Sequence, residues 1–138
     1  MQKLNIEQTP LTPGIRFSPD ENVFFIRGTS TPEDVRAMYY PVIDWIRKFI
    51  SEAMKGGYKI FNSENPLRFQ VDLTYFNSSS AKFFYDILME LAKLPPAGLP
   101  VKVEWYYDEE DSDMKEAGTD ISLLVGMEFT YIPKPSQF

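Results

Sequence analysis

The 138-residue chain contains no cysteine and no histidine, and these two zeros exclude most of the chemistry a small domain could carry. Without cysteine there is no disulfide framework, zinc knuckle, iron–sulfur ligation or thiol nucleophile. Without histidine there is no Ser-His-Asp triad, no HExxH helix and no imidazole base. An enzyme built on this sequence would have to use carboxylates, lysine, tyrosine or a bound metal. Long apolar runs are missing too. No stretch approaches the roughly 18 residues of a membrane helix, and the opening MQKLNIEQTPLTPG lacks the apolar centre of a secretory signal. No glycine follows the first methionine for myristoylation, and no cysteine stands near the end for prenylation. A cytoplasmic protein without membrane insertion is the expectation. Positive charge is in short supply: 14 Lys and Arg face 20 Asp and Glu, for a net charge of −6. That balance disfavours nucleic acid as a partner, because tracking phosphates needs a basic face.

What is present describes a folded domain. Apolar residues make up 43% and charged residues 25%, as in ordinary globular proteins. Eleven Phe, eight Tyr and two Trp argue against disorder, which goes with few aromatics. The length suits one domain over residues 1–138, with 1–12 as an extended arm and 133–138 as a tail. Ile15 and Phe17 lead into a Pro19-Asp20-Glu21-Asn22 turn and Val23–Ile26 lead out, which predicts a hairpin ending at Gly28. Thr31 as N-cap, Pro32 at the first helical position and Glu33 and Asp34 behind it predict a helix start. Its stripe is Val35, Met38, Tyr39, Val42, Ile46, Phe49, Ile50 and Ala53, with a kink or break expected from Pro41. Residues 67–76 alternate, placing Leu67, Phe69, Val71, Leu73 and Tyr75 on one face. A second helix is expected from Ala81 to Leu94, a strand at 101–107, a helix across 112–125 and a last strand at 127–132. The order ββ-α-β-α-β-α-β implies an α/β domain with a mixed, mostly parallel sheet, an N-terminal antiparallel hairpin and three helices.

Four features could carry chemistry. Asn77-Ser78-Ser79-Ser80 stands between a strand and a helix. The simpler reading is a helix cap, with Asn or Ser satisfying orphan N–H groups; the same geometry would place a hydroxyl where helix N–H groups and the dipole stabilise an anion, with Lys82 one turn away. A nucleophilic serine is disfavoured by the missing histidine and the missing GxSxG elbow. The run Asp108-Glu109-Glu110-Asp111, continued by Asp113, could hold Mg²⁺ or Ca²⁺, but the EF-hand pattern fails because Asp113 stands where glycine is needed. A solvated turn is the simpler reading. Tyr39, Tyr40 and Trp45 read as core, and no phosphate-binding Gly-rich loop accompanies them; Tyr40 and Trp45, off the stripe, could face a partner. Asp72 with Tyr75 offers a single carboxylate, a weak basis for acid–base catalysis.

Three stretches in order resemble the SiaC family of regulatory phosphoproteins: Phe25-x-Arg27-Gly28-x-Ser30-x-Pro32-Glu33, Tyr40-x-x-x-Ile43-x-Trp45-x-x-x-Phe49, and Asp72-Leu73-x-Tyr75-Phe76-Asn77-Ser78-Ser79-Ser80. The likeness runs over roughly residues 10–132. It implies a STAS-like fold of the anti-anti-sigma-factor type, with Asn77 at that type's acidic position and Ser80 at its glycine position. It further implies that Ser78 is a phospho-acceptor within an environment of Asn77, Ser79, Ser80 and Lys82. Implied partners are a protein Ser/Thr kinase, a PP2C-like phosphatase and a diguanylate cyclase engaged by the unphosphorylated form; no cofactor or metal is expected, because histidine and cysteine are missing and no carboxylate motif is complete. A non-catalytic partner switch is therefore the leading expectation. A metal-dependent enzyme using Asp72 and the 108–113 carboxylates, or a structural subunit with a buried Ser78, are the alternatives.

Overall fold

The turn at Pro19–Asn22 closes the first hairpin. Asn22 takes a left-handed backbone (φ 52°), which asparagine tolerates better than most residues. It joins strands β2 (Gly14–Ser18) and β3 (Val23–Ser30), antiparallel with Phe17 opposite Phe24. Its side chain donates to the Pro66 carbonyl (3.0 Å) and accepts from the Arg68 N–H (3.1 Å), tying the turn to the start of β4 (Leu67–Phe76). The computed structural model describes residues 1–136. Residues 1–12 are not a free arm: Leu4–Ile6 form β1, paired antiparallel with β2. The indole N–H of Trp45 donates to the Gln2 carbonyl (2.8 Å) and pins this edge strand. At the far edge, Pro133 and Lys134 belong to β6 (Phe129–Lys134) rather than to a tail, and an edge strand tolerates a missing N–H. Gln137 and Phe138 of the expected tail lie outside the described residues.

The remaining elements are α1 (Val35–Met54), α2 (Ser78–Leu91), β5 (Val101–Asp108) and α3 (Ser112–Val125). Strands stand in the order β1 to β6, and β3 through β6 run parallel. Right-handed crossovers that always step in one direction place all three helices on one face. α1 packs on α2 and α2 on α3. The core lies between helices and sheet, with Phe24, Ile26, Phe69, Val71, Val103, Trp105 and Phe129 facing Val42, Ile46, Phe49, Phe84, Ile87 and Leu88. The opposite sheet face is open and carries the alternate residues Arg68, Gln70 and Asp72 on β4 and Lys102, Glu104 and Tyr106 on β5. The architecture is the α/β arrangement expected from the sequence: a six-stranded mixed sheet, an antiparallel hairpin at its start and three helices.

Three local expectations are corrected. α1 begins after Asp34, whose carboxylate accepts from the Ala37 N–H (3.1 Å); the Thr31 hydroxyl points away from the helix, donating to the Leu11 carbonyl (3.3 Å) alongside the Thr31 N–H (2.7 Å). The helix runs through Pro41 without a break; Pro41 and Ala37, the residue left without its N–H partner, are both exposed, so water can solvate the orphan carbonyl. The third correction concerns β4. Gly28 pairs with Leu73 but Thr29 pairs with Tyr75, so Thr74 is an extra residue and the alternation reverses. Tyr75 therefore points to solvent at 57% exposure instead of sharing the core face with Leu73. Phe76 turns inward against Phe84 and Trp105, at ring distances of 5.2 and 6.2 Å. Gly28 fits this irregularity, with φ +107° and the Gln8 side chain 2.6 Å from where a Cβ would lie.

Candidate functional site

The reversal at Thr74 sets how the chain leaves β4. Phe76 anchors the end of the strand in the core, and the next residue departs from the sheet. The Asn77 N–H donates to the Ser30 carbonyl (3.1 Å), and the Asn77 side chain accepts from the Ser80 N–H (2.9 Å) as the N-cap of α2. α2 thus starts at Ser78, three residues before the point marked by apolar periodicity. Serines are poor in helix interiors, but the first turn needs no intrahelical N–H bonds and accepts them readily.

The three serines have different fates. Ser78 and Ser79 are exposed, whereas Ser80 is fully buried. The Ser80 hydroxyl donates to the Ser30 carbonyl (3.1 Å) and accepts from the Ser30 hydroxyl (2.8 Å). A third hydroxyl, from the buried Tyr39 on α1, lies 2.5 Å from the Ser30 Oγ. Since the single Ser30 proton goes to Ser80, Tyr39 donates. The chain Tyr39 O–H to Ser30 Oγ to Ser80 Oγ to Ser30 C=O leaves no proton without an acceptor. Burial pushes the Tyr39 hydroxyl up to about 12, so it keeps its proton at neutral pH. Sequence reasoning assigned Tyr39 to the apolar stripe and gave Ser30 no role. The available signal was that a buried tyrosine hydroxyl requires a polar partner.

Ser78 occupies the first helical position, and no acidic side chain stands in the first turn of α2. The unbonded N–H groups and the helix dipole make that end favourable for negative charge. Lys82 lies one turn further on, highly exposed, with its ammonium 3.9 Å from Asp86 Oδ2 and 5.4 Å from the Phe83 ring centre. The structure thus gathers Asn77, Ser78, Ser79 and Lys82 around the exposed start of α2 and places Ser80 beneath it. Beside them a groove of about 370 Å³ runs between α1 and α2, lined by Tyr40, Ile43, Arg47, Lys82, Phe83 and Asp86. Tyr40 is 54% exposed there. Trp45, its expected companion on a partner-facing surface, instead packs on Phe17, Phe24 and Phe49.

The acidic residues are mostly occupied. Asp108 accepts from the Glu110 N–H (2.9 Å) and Asp111 caps α3 through the Met114 N–H (3.0 Å). Asp72 pairs with the Lys134 ammonium (2.7 Å) on the open sheet face. A cleft of about 450 Å³ is lined in part by Asp72, Asp108, Asp111 and Lys134. Among the described residues no group of three or more carboxylates is placed to hold a metal ion, and no helix is long and apolar enough to cross a membrane.

The geometry defines a class: a small α/β domain that displays a hydroxyl at a capped helix start, on a turn locked from below. The comparisons give the class its family. The chain belongs to the SiaC family of regulatory phosphoproteins, whose family model matches residues 6–134. An uncharacterized protein of Pseudomonas aeruginosa is 30% identical over 116 residues, 84% of each chain. The crystal structure of apo-SiaC from Pseudomonas aeruginosa is similar with a TM-score of 0.78 at 27% identity, over 95% of this chain and 98% of that one. SiaC in the crystal structure of the diguanylate cyclase SiaD in complex with its activator SiaC, from the same organism, matches at a TM-score of 0.77 and 26% identity, over 96% and 99% of the two chains.

Proposed function

We propose that this protein is a non-catalytic, cytoplasmic partner switch in which phosphorylation of Ser78 controls docking onto a diguanylate cyclase or a similar effector. The observation that carries the reading is the contrast within the serine run: Ser78 is exposed at the first position of α2, while Ser80 is sealed and fully hydrogen-bonded. Membership of a phosphoprotein family supports it, as does the similarity to a SiaC described as the activator of a diguanylate cyclase.

The physics requires no large rearrangement. In the unmodified protein the start of α2 and the α1–α2 groove with Tyr40 and Lys82 form the docking surface. A protein Ser/Thr kinase adds a phosphate of about −1.5 to −2 charge at Ser78. The helix N-terminus stabilises that charge within the protein. Docking must then strip water from it and bring it against the partner's own groups, which costs affinity. A PP2C-like phosphatase restores the neutral hydroxyl. Neither step needs a cofactor or metal from this chain.

Site mapping of the protein isolated from its own cells tests the assignment. The expected result is an added mass of about 80 Da on the peptide containing Ser78. Phosphate confined to another residue, or none under conditions where the kinase is active, would overturn it.

A further inference from the structure

One residue that ties down the acceptor turn is not on that turn. Ser30, the last residue of β3, is fully buried and bonds through both its carbonyl and its side chain. Its carbonyl accepts from the Asn77 N–H (3.1 Å) and from the Ser80 hydroxyl (3.1 Å). Its hydroxyl donates to Ser80 (2.8 Å) and accepts from Tyr39 (2.5 Å). One side chain and its own carbonyl thereby join β3, the first turn of α2 and α1. Tyr39 is itself stacked on Phe83 of α2, with ring centres 5.4 Å apart, and it precedes Tyr40 of the α1–α2 groove.

We propose that Ser30 is the positioning residue of the acceptor turn: through Asn77 and Ser80 it fixes the first turn of α2, and through Tyr39 it holds that turn in register with the α1 side of the groove. This rests on the reading of Ser78 as the acceptor. Both ends of the turn, Asn77 and Ser80, are tied to one buried point, so Ser78 and Ser79 between them are presented outward in a fixed orientation. Ser80 is withheld from modification because its hydroxyl is the lock. The phosphate is then read as a charge added to a rigid platform, not as a trigger that melts the helix start.

The test is amide hydrogen exchange on the full chain, comparing wild type with Ser30→Ala and Tyr39→Phe. Tyr39→Phe keeps the ring that packs on Phe83 and Phe84 and removes only the outer hydroxyl, so it serves if Ser30→Ala folds poorly. The probes are the Asn77, Ser80 and Ala81 amides, which donate to Ser30 and Asn77, measured against the Val71 and Leu73 amides of the central strand as reporters of global opening. The expected result is exchange at the turn about tenfold faster in Ser30→Ala, and a smaller increase in Tyr39→Phe, beyond any change in the strand amides. Equal acceleration at turn and strand would make Ser30 an ordinary core residue and overturn the proposal, as would no acceleration at the turn. Exchange requires neither kinase nor cyclase, so its outcome is independent of whether Ser78 carries phosphate. Conversely, failure to find phosphate at Ser78 would sink the switch without altering the exchange pattern.

Discussion

Replacing Ser78 by aspartate should stabilise the fold while weakening the docking surface, and the opposite signs make the substitution informative. Ser78 is the first residue of α2, it is exposed, and the first turn has no acid to complement the dipole. A carboxylate there is worth about 0.3–1 kcal/mol at low salt. It would also stand four residues before Lys82, the favourable orientation for an ion pair worth about 0.2–0.5 kcal/mol. For a chain of this size the two gains together raise Tm by about 2–5 °C. Asparagine at the same position is the control, with similar shape and no charge. Thermal unfolding of Ser78→Asp and Ser78→Asn at low and at high salt reads the difference, which should shrink as salt screens the exposed charge. If Ser78→Asp melts no higher than Ser78→Asn at low salt, the helix start does not welcome an anion. A phosphate would then disturb the turn it sits on, and the argument for a switch without rearrangement fails.

Two other expectations come from buried contacts. Gly118 of α3 lies flat on the buried Trp105, and an added Cβ would come within 2.6 Å of its indole nitrogen. That indole is held by its bond to the Met114 carbonyl (3.0 Å), so Gly118→Ala should lose about 1–3 kcal/mol by overpacking against about 1 kcal/mol gained in helix propensity. The urea midpoint should fall, and a rise would contradict the packing. Stability should also decline at alkaline pH. Burial raises Tyr39 from 10.0 to about 12, and burial together with the Glu52 carboxylate raises Tyr58 likewise. The folded state holds both protons more tightly, so their contribution is intact below pH 10 and is lost as pH rises to about 12. Tyr39→Phe should make that decline shallower, and an unchanged slope would mean that its hydroxyl ionises as freely in the fold as out of it.

How much of this was legible in the sequence depended on whether a signal was local. The Pro19–Asn22 turn, the alternation of Leu67 to Leu73 and the stripes of α1 and α2 are properties of neighbouring residues, and they stand largely as expected. Strand β1 escaped because three residues in a polar arm become a strand only by pairing with β2. The N-cap of α1 was misplaced because both Thr31 and Asp34 are capping residue types, and the Thr31 hydroxyl is drawn off to the distant Leu11 carbonyl. Tyr75 was put on the wrong face because the extra residue at Thr74 is defined by its pairing with β3. At the candidate site, a helix cap within Asn77–Ser80 came from local pattern, and the choice of Ser78 among its hydroxyls came from the family resemblance. The Ser30–Tyr39–Ser80 chain did not, since it joins residues 50 and 9 positions apart that meet only once sheet and helices have assembled.

The central claim is that a phosphate on Ser78 weakens docking onto the cyclase while leaving the fold in place. Unmodified protein and protein phosphorylated stoichiometrically at Ser78 should be titrated against the diguanylate cyclase from the same cells at matched salt, with far-UV circular dichroism of both forms. The account predicts unchanged helix content and an affinity lower by at least about tenfold, since about 1.4 kcal/mol of desolvation and charge repulsion suffices for that factor. Equal affinities for the two forms, or tighter binding by the phosphorylated one, would contradict it.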